Sequence, residues 1–230
     1  MVTPSRDNNK ETAGERPWED GFEPQQQDPL RSAAYGFPVY LEPNPIDGSV
    51  WLAQQKNLVH VDSNGDLIDS TTLGASVNGL AFDAPHDRLY IAMGRTIMVQ
   101  DAFGTRTALG VKILTPVRDL AYDAATDFLW VVEHNALTRY HAETSQALLR
   151  ISAKNELERI VVIPAKGLWI ATRMDLVKLS DAGQEEQRIN SMYRIPGRPV
   201  LALFIDPFDD SLWVAGENTM RQIDTSKRVL

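Results

Sequence analysis

Apolar segments recur along this chain at a nearly constant spacing. An aromatic residue that follows Val or Leu and precedes another apolar residue occurs five times, at Trp51, Tyr90, Trp130, Trp169 and Trp213. The intervals between successive members are 39, 40, 39 and 44 residues. A period of about forty residues indicates that the chain is built from five similar units.

Each unit contains four short apolar runs, which predict four strands. One run precedes the aromatic, as in VNGLAFD from Val77, and two more follow it across tight turns such as DSNG and DAFG. Four antiparallel strands per forty residues, five times over, predict an all-β fold, a β-propeller of five four-stranded antiparallel blades. The units fill residues 37–230, so we expect a closed ring; an incomplete ring that a partner or further residues would close is the alternative.

The pattern also predicts roles for two recurring residue types. Asp83, Asp123 and Asp206 each stand seven residues before their aromatic, where a carboxylate can accept hydrogen bonds from backbone amides of a turn. We assign them to turn formation. The five aromatic rings are expected to fill the wedges between adjacent blades.

Residues 1–36 differ in composition from the rest, being rich in Pro, Gln, Gly and charge. Such a segment buries too little apolar surface to offset the entropy of ordering, so it is predicted to be a flexible arm ahead of the propeller domain at 37–230. Trp18 and Phe22 stand four residues apart in it, which suits a peptide that docks on a partner. Incidental aromatics in an untethered tail are the alternative.

Charge and composition narrow the functional classes. The chain has a net charge of -8 and no cysteine, so we expect no nucleic-acid partner and neither a disulfide framework nor a thiolate zinc site. No secretory signal and no run of about 18 apolar residues occurs, so no membrane insertion is expected. These absences favour a cytoplasmic location without establishing the compartment.

Two segments carry a resemblance to a known family. KGLWIATRMDLVKLSDAG and NGLAFDAPHDRLYIAMGRTIMVQDAFG resemble blades of NHL-type and sensor-regulator-type β-propellers, and the likeness covers roughly residues 37–230. This resemblance implies a propeller fold, and it implies little about activity, because such propellers bind peptides, assemble complexes, sense ligands or catalyse reactions.

The candidate site is the mouth of the central channel. Turns between the second and third strands of each blade share a face with the connections that lead into the innermost strands. The expected binding residues on this face are Gln55, Lys56, Asn78, Arg95, Arg118, Glu133, His134, Asn135, Glu158, Arg173, Asp175, Glu217 and Asn218. Surface turns are polar in any protein, so polarity alone does not make these residues a site.

The functional hypothesis is a non-catalytic scaffold. We expect it to bind a protein partner through this face, and through Trp18 and Phe22, as an assembly or regulatory subunit without a cofactor; a small-molecule ligand is also compatible with the channel. The alternative is a calcium-dependent lactonase-like hydrolase, because VNGLAFD and YLEPNP resemble metal-binding segments of gluconolactonases. That resemblance implies Glu42 and Asn78 as calcium ligands, but Leu201 stands where the family has a metal-binding Asp.

Overall fold

The computed structural model describes residues 40–190, 200–216 and 219–223, whose strands form five antiparallel sheets arranged in a ring. The predicted five-bladed β-propeller is therefore confirmed. Within the described residues, helix is confined to one 3-10 turn at Ala84–His86, and none of their helical structure is long and apolar enough to cross a membrane.

The strands follow the chain in order, and consecutive strands pair within each blade. Blade 1 contains β1 (Tyr40–Pro43), β2 (Val50–Gln54), β3 (Asn57–Val61) and β4 (Leu67–Thr72). Blade 2 contains β5 (Val77–Asp83), β6 (Arg88–Met93), β7 (Thr96–Gln100) and β8 (Arg106–Ala108). Blade 3 contains β9 (Val117–Asp123), β10 (Phe128–Glu133), β11 (Ala136–His141) and β12 (Ala147–Ser152). Blade 4 contains β13 (Leu157–Ile163), β14 (Gly167–Thr172), β15 (Asp175–Leu179) and β16 (Glu185–Asn190). Blade 5 contains β17 (Ala202–Ile205), β18 (Leu212–Ala215) and β19 (Met220–Ile223). Its expected fourth strand, at residues 227–230, lies outside the described residues.

The recurring aromatics pack between blades, as the repeat predicts. Trp51 lies in an apolar cluster with blade 2, Tyr90 in one with blade 3, Trp130 in one with blade 4 and Trp169 in one with blade 5. All four are less than a tenth exposed. Burial of rings of this size is a large hydrophobic contribution to each seam.

The fifth aromatic has a different environment. Trp213 is only partly buried, and its cross-strand neighbour Phe204 is 56% exposed. Leu41 of blade 1 is 59% exposed. Among the described residues, no buried apolar cluster joins blade 5 to blade 1, so the described part of this seam carries less apolar packing than the other four seams.

Aspartates build the turns between the first and second strands. Asp83 Oδ1 accepts a hydrogen bond from the amide of His86, Asp123 Oδ1 from Ala125 and Asp206 Oδ1 from Phe208. Asp87 and Asp127 immediately precede the second strand of their blades, and Asp210 stands two positions before it. All three residues have a left-handed backbone. Asp tolerates this conformation better than most residues, so local chemistry explains why these turns are acidic.

The innermost strands of blades 2 and 3 approach each other closely at Gly79. A Cβ atom placed on Gly79 would lie 3.0 Å from the backbone nitrogen of Leu120 and 3.1 Å from Cα of Asp119. Because these contacts are with the backbone of the neighbouring blade, a side chain cannot be accommodated by a rotamer change alone. Glycine here allows blades 2 and 3 to pack against each other near the axis.

We expect Trp169→Ala to lower the free energy of unfolding by about 3 to 5 kcal/mol, because it leaves a cavity in the seam between blades 4 and 5. Trp213→Ala at the equivalent position should cost less than about 2 kcal/mol, because part of that ring is already in water. Urea unfolding of both variants measures the difference. Equal losses would contradict the assignment of distinct environments to the two rings.

We expect Gly79→Ala to destabilise the protein by about 1 to 3 kcal/mol through overpacking against blade 3. Gly74→Ala is the matched control, because a Cβ atom there meets nothing within 4 Å. Thermal and denaturant unfolding should show the control to be neutral or slightly stabilising. A neutral Gly79→Ala would mean that the inner strands separate easily.

Candidate functional site: the channel-mouth face

Two sets of loops form the two faces of the ring. Each innermost strand begins on one face, which we call the mouth face. Its described loop residues are 55–56, 73–76, 94–95, 109–116, 134–135, 153–156, 173–174, 200–201, 216 and 219. The remaining turns form the opposite face, at residues 44–49, 62–66, 84–87, 101–105, 124–127, 142–146, 164–166, 180–184 and 206–211.

The loops of the two faces differ in the sign of their charge. Five basic residues and one acidic residue lie in the mouth-face loops, a net charge of +4 with His neutral: Lys56, Arg95, Lys112, Lys154, Arg173 and Glu156. One basic and eleven acidic residues lie in the opposite-face loops, a net charge of -10: Lys166, Asp47, Asp62, Asp66, Asp87, Asp101, Asp127, Glu143, Asp181, Asp206, Asp209 and Asp210. In the described part of the chain, the loops of one face are thus basic although the protein as a whole is acidic.

A network of charged side chains crosses from blade 3 to blade 4 on the mouth face. Arg118 Nη2 donates to Glu156 Oε1 at 2.8 Å and lies 3.2 Å from Nδ1 of His134. His134 Nδ1 is 3.3 Å from the same carboxylate oxygen, and Arg173 Nη1 is 3.7 Å from the other. One carboxylate therefore faces two guanidinium groups and an imidazole, and the cluster has an excess of hydrogen-bond donors.

The fold brings these four residues together from four separate elements. Arg118 is the second residue of β9, His134 lies in the turn after β10, and Glu156 lies in the connection between blades 3 and 4. Arg173 lies in the turn after β14. The side chains of Arg118, His134 and Arg173 are 46%, 51% and 71% exposed. Solvent screens such pairs, so the network adds little to stability and remains available for contact.

Carboxylates bridge the innermost strands of neighbouring blades. Glu42 Oε1 accepts from the amide of Phe82 at 2.9 Å, and Asp119 Oδ2 accepts from the amide of Ile160 at 3.0 Å. Glu158 Oε2 accepts from Val200 at 3.3 Å. Each bond joins one blade to the next, so these acids hold the inner strands in register around the axis.

Burial makes two of these carboxyl groups unusually weak acids. It raises the pKa of Glu42 to about 8, an increase only partly offset by the hydrogen bond from Phe82, and the nearby Asp119 charge adds to it. Burial likewise raises the pKa of Asp119 to about 7 against the opposing attraction of Arg159. Both groups therefore titrate near neutral pH.

Arg159 supplies a cation beside these acids. Its Nε donates to the backbone oxygen of Leu201 at 2.8 Å and its Nη1 donates to that of Glu158 at 2.9 Å. Its guanidinium also lies over the ring of Tyr40, 5.3 Å from the centroid. Residues from blades 1, 4 and 5 thus meet at Arg159, which helps to order the inner strands.

Three of the predicted binding residues support the local backbone. Asn78 Oδ1 accepts from the amide of Gly94 at 2.8 Å, and the guanidinium of Arg95 donates twice to the backbone oxygen of Ile113. Gln55 has a left-handed backbone, and its carbonyl accepts from Val77. Arg95 remains exposed in this position, so its charge can still act on a ligand.

Glu133 and Asp175 occupy buried positions, unlike the exposed positions we expected. Glu133 accepts from the amides of Leu114 and Thr115 and pairs with Arg150. Burial opposes its ionisation, but the bonds from Thr115, Arg150 and Leu114 outweigh that and hold the pKa of Glu133 below its ordinary value. Asp175 is 8% exposed and pairs with Arg188. These contacts give both residues a role within the fold, and their predicted part in binding stays a prediction.

The remaining predicted residues divide between exposed positions and positions outside the described residues. Lys56 and Asn135 are exposed in mouth-face turns, and Glu158 is half-buried. Glu217 and Asn218, and Trp18 and Phe22 of the predicted arm, lie outside the described residues, so their positions and roles stay predictions.

The two calcium ligands of the alternative hypothesis are not gathered at one point. The Asn78 oxygen is engaged by Gly94, whereas Glu42 is bonded to Phe82, four residues further along β5. Four residues of strand span about 13 Å, and oxygens that share a calcium ion each lie about 2.3 to 2.6 Å from it. The lactonase-like alternative stays a prediction that these contacts do not support.

One group of potential metal-binding side chains lies on the opposite face in the described part of the chain. Ligand atoms of Asp83, His86 and Asp127 lie within 4.8 Å of one another. Arg88, however, donates to Asp83 Oδ2 from Nη2 at 2.6 Å and from Nε at 3.0 Å. That guanidinium already neutralises the buried carboxylate, so the group is better explained as an ion-paired turn.

Glu156, which connects the mouth-face network, is not among the binding residues predicted from the sequence. The residue precedes the apolar run LERIVVI by one position, and that position on the connecting loop was the available signal. Its partners are 38, 22 and 17 residues away along the chain at Arg118, His134 and Arg173, so no local pattern reveals their contact.

Comparisons with known proteins identify the fold class. No protein family and no curated protein sequence matches this chain. Among solved structures, hydrazine synthase of Kuenenia stuttgartiensis is similar, with a TM-score of 0.63 and 12% identity over 77% of this chain and 55% of that chain. The chain thus spans little more than half the length of that protein. Likeness at this identity shows the β-propeller fold alone, and the NHL-type resemblance stays a prediction.

We expect Glu42→Gln to reduce the loss of stability that occurs as the pH rises from 5 to 8. The folded state of the parent keeps a proton on Glu42 up to a pKa of about 8, whereas the unfolded state releases it near the ordinary value of 4.5. Folding therefore becomes less favourable as the pH rises, by up to about 1.4 kcal/mol per pH unit for one proton. The Gln side chain can still accept from Phe82 but carries no proton to lose.

Urea unfolding at four pH values between 5 and 8 measures this effect. Glu42→Gln should resemble the parent near pH 5 and exceed it increasingly towards pH 8. Titration of Asp119 also lowers stability as the pH rises, whereas titration of His60, whose pKa is lowered by burial, raises it. The measured quantity is therefore the difference in unfolding free energy between variant and parent at each pH. Glu143→Gln on an exposed turn is the control, and a Glu42→Gln profile parallel to the parent would contradict a proton on Glu42.

Proposed function

We propose that this chain is a non-catalytic β-propeller scaffold that binds a protein partner through its mouth face, as an assembly or regulatory subunit. The observation that supports this most directly is the exposed network of Arg118, His134, Glu156 and Arg173, where donors exceed acceptors. Such a cluster is complementary to carboxylates on a partner, and Arg is well suited to bind them with two hydrogen bonds.

The sign of the charge distinguishes this face from an ordinary set of polar turns. Aspartates on the opposite face have a local purpose, because Asp47, Asp62 and Asp101 accept from backbone amides within their own turns. Lys56, Lys154 and Arg173 have no comparable role in turn formation. Local structure therefore accounts for the acidic face and leaves the basic face to be explained by what it contacts.

A protein suits this face better than nucleic acid does. The basic loops carry +4, whereas the whole chain carries -8. A long polyanion with phosphates at close intervals would be repelled by the acidic remainder. A protein with a confined acidic patch would contact the mouth face and avoid that repulsion.

The proposal is tested with a photo-reactive amino acid placed on each face in turn. Asn135 in a mouth-face turn and Phe103 in an opposite-face turn are both exposed, so p-benzoylphenylalanine at either position should leave the fold intact. After irradiation in cells, we expect covalent protein adducts from position 135 that are lost in an Arg118→Glu, Arg173→Glu background.

The matched controls are position 103 and the variant Lys166→Glu, which reverses an exposed charge on the opposite face. Neither should change the adducts formed at position 135. Adducts that form equally at both positions, that persist after reversal of both arginines, or that are absent from position 135 would each contradict binding through the mouth face. Circular dichroism spectra of the purified variants would show that the fold is retained.

A further inference from the structure

The mouth face has a candidate occupant within the same chain. Its loops carry a net charge of +4 although the protein as a whole is acidic. Its guanidinium groups at Arg95 and Arg118 are held in place, the first by the backbone oxygen of Ile113 and the second by Glu156. Cations that are oriented in this way lose less entropy when they bind an anion.

The polypeptide that precedes the propeller leaves from this face. Tyr40, the first residue of β1, pairs with Ala53 of β2, and β2 ends at the mouth-face turn that contains Lys56. The direction of β1 follows from this register, since the strand runs from the mouth face to the opposite face. Tyr40, to which residues 1–39 are joined, therefore lies at the mouth-face end of β1.

Acidic residues of the amino-terminal region are concentrated in one stretch. Residues 15–28 contain Glu15, Glu19, Asp20, Glu23 and Asp28 against a single Arg16, a net charge of -4. Residues 1–14 contain two basic and two acidic residues and are neutral. The acidic stretch also contains Trp18 and Phe22, which can add apolar contacts to a charged interface.

The stretch is close enough in sequence to reach the whole face. Tyr40 is twelve positions after Asp28, and an extended chain spans about 3.3 to 3.6 Å per residue, or about 40 Å. A folded domain of this size has a radius of gyration of about 16 Å. The length of the chain therefore permits contact with Arg95, Arg118 or Arg173.

We propose that residues 15–28 bind the mouth face of their own chain, with their carboxylates on Arg95, Arg118 and Arg173. The tether keeps this anionic peptide at a high effective concentration, so weak contacts suffice. An external acidic partner then has to displace it, which makes the stretch an internal competitor for the face. The competition rests on the proposed function, whereas the binding of residues 15–28 does not.

A spin label tests the binding in the full-length protein. The chain has no cysteine, so Gln26→Cys provides a single attachment point for a nitroxide within the acidic stretch. We expect amide signals of mouth-face residues Lys56, Arg95 and Asn135 to lose most of their intensity compared with the reduced, diamagnetic sample. Signals of opposite-face residues such as Asn64 and Phe103 should keep theirs.

Charge reversal and salt identify the physical cause. Arg118→Glu with Arg173→Glu should restore the mouth-face signals, and the matched opposite-face variant Lys166→Glu should leave them broadened. Raising the ionic strength from about 0.01 M to about 1 M shortens the screening length from about 30 Å to 3 Å and should also restore them. Equal broadening of both faces, or broadening that survives charge reversal, would overturn the proposal.

Isotope mixing separates the same chain from a second copy. Isotope-labelled protein without the nitroxide, mixed with unlabelled spin-labelled protein, should show no mouth-face broadening. Broadening in the mixture would assign the occupant to another copy and overturn binding within one chain.

The outcomes of the two proposals remain distinguishable. If adducts form at position 135 but the nitroxide does not broaden the mouth-face signals, the proposed protein partner stands and the proposed binding of residues 15–28 is overturned. If the signals broaden but no adducts form, the binding of residues 15–28 stands and the protein partner is overturned. If both hold, Glu15→Gln, Glu19→Gln, Asp20→Asn and Glu23→Gln together should increase the yield of adducts, and an unchanged yield would overturn competition for the face.

Discussion

The packing of one large aromatic side chain against the next blade is the interaction on which the rest of the structure depends. A four-stranded sheet of this length has apolar residues on both faces and cannot bury them alone. Trp51, Tyr90, Trp130 and Trp169 each fill the seam towards the following blade. The loops have defined positions only because these seams fix the sheets relative to one another.

Because apolar packing between blades stabilises the fold, the side chains of the turns are less constrained by stability. On one face, the turns use aspartates as backbone acceptors, and an acidic surface is the consequence. On the other face, side chains of the strands such as Asn78 and Glu133 accept from the loop amides, and Lys56, Arg95 and Arg173 occupy the turns themselves. The same architecture thus separates charge across the ring in the described loops, and the binding role proposed above rests on this separation.

Near the axis, neighbouring blades are joined by buried polar contacts rather than by apolar packing. Gly79 allows two inner strands to approach closely, while Glu42 and Asp119 bond to amides of the next blade. Taking a carboxylate out of water is unfavourable, which is why both pKa values rise. These contacts fix the register of the inner strands and make it sensitive to protonation near neutral pH.

Much of this architecture is encoded locally and can be recognised in the amino-acid order. The forty-residue period, the strand sequence within each blade, the buried aromatics and the turn-forming Asp83 all follow from side-chain periodicity and short-range hydrogen bonding. Contacts between blades join residues that are far apart in the chain. The gathering of Arg118, His134 and Arg173 around Glu156 therefore arises only when blades 3 and 4 pack together, because neighbours across a seam share no local pattern. Pairing of strands within one blade decided the rest: it brings Asn78 to Gly94, Glu133 to Arg150 and Asp175 to Arg188, which are 16, 17 and 13 residues apart in the chain.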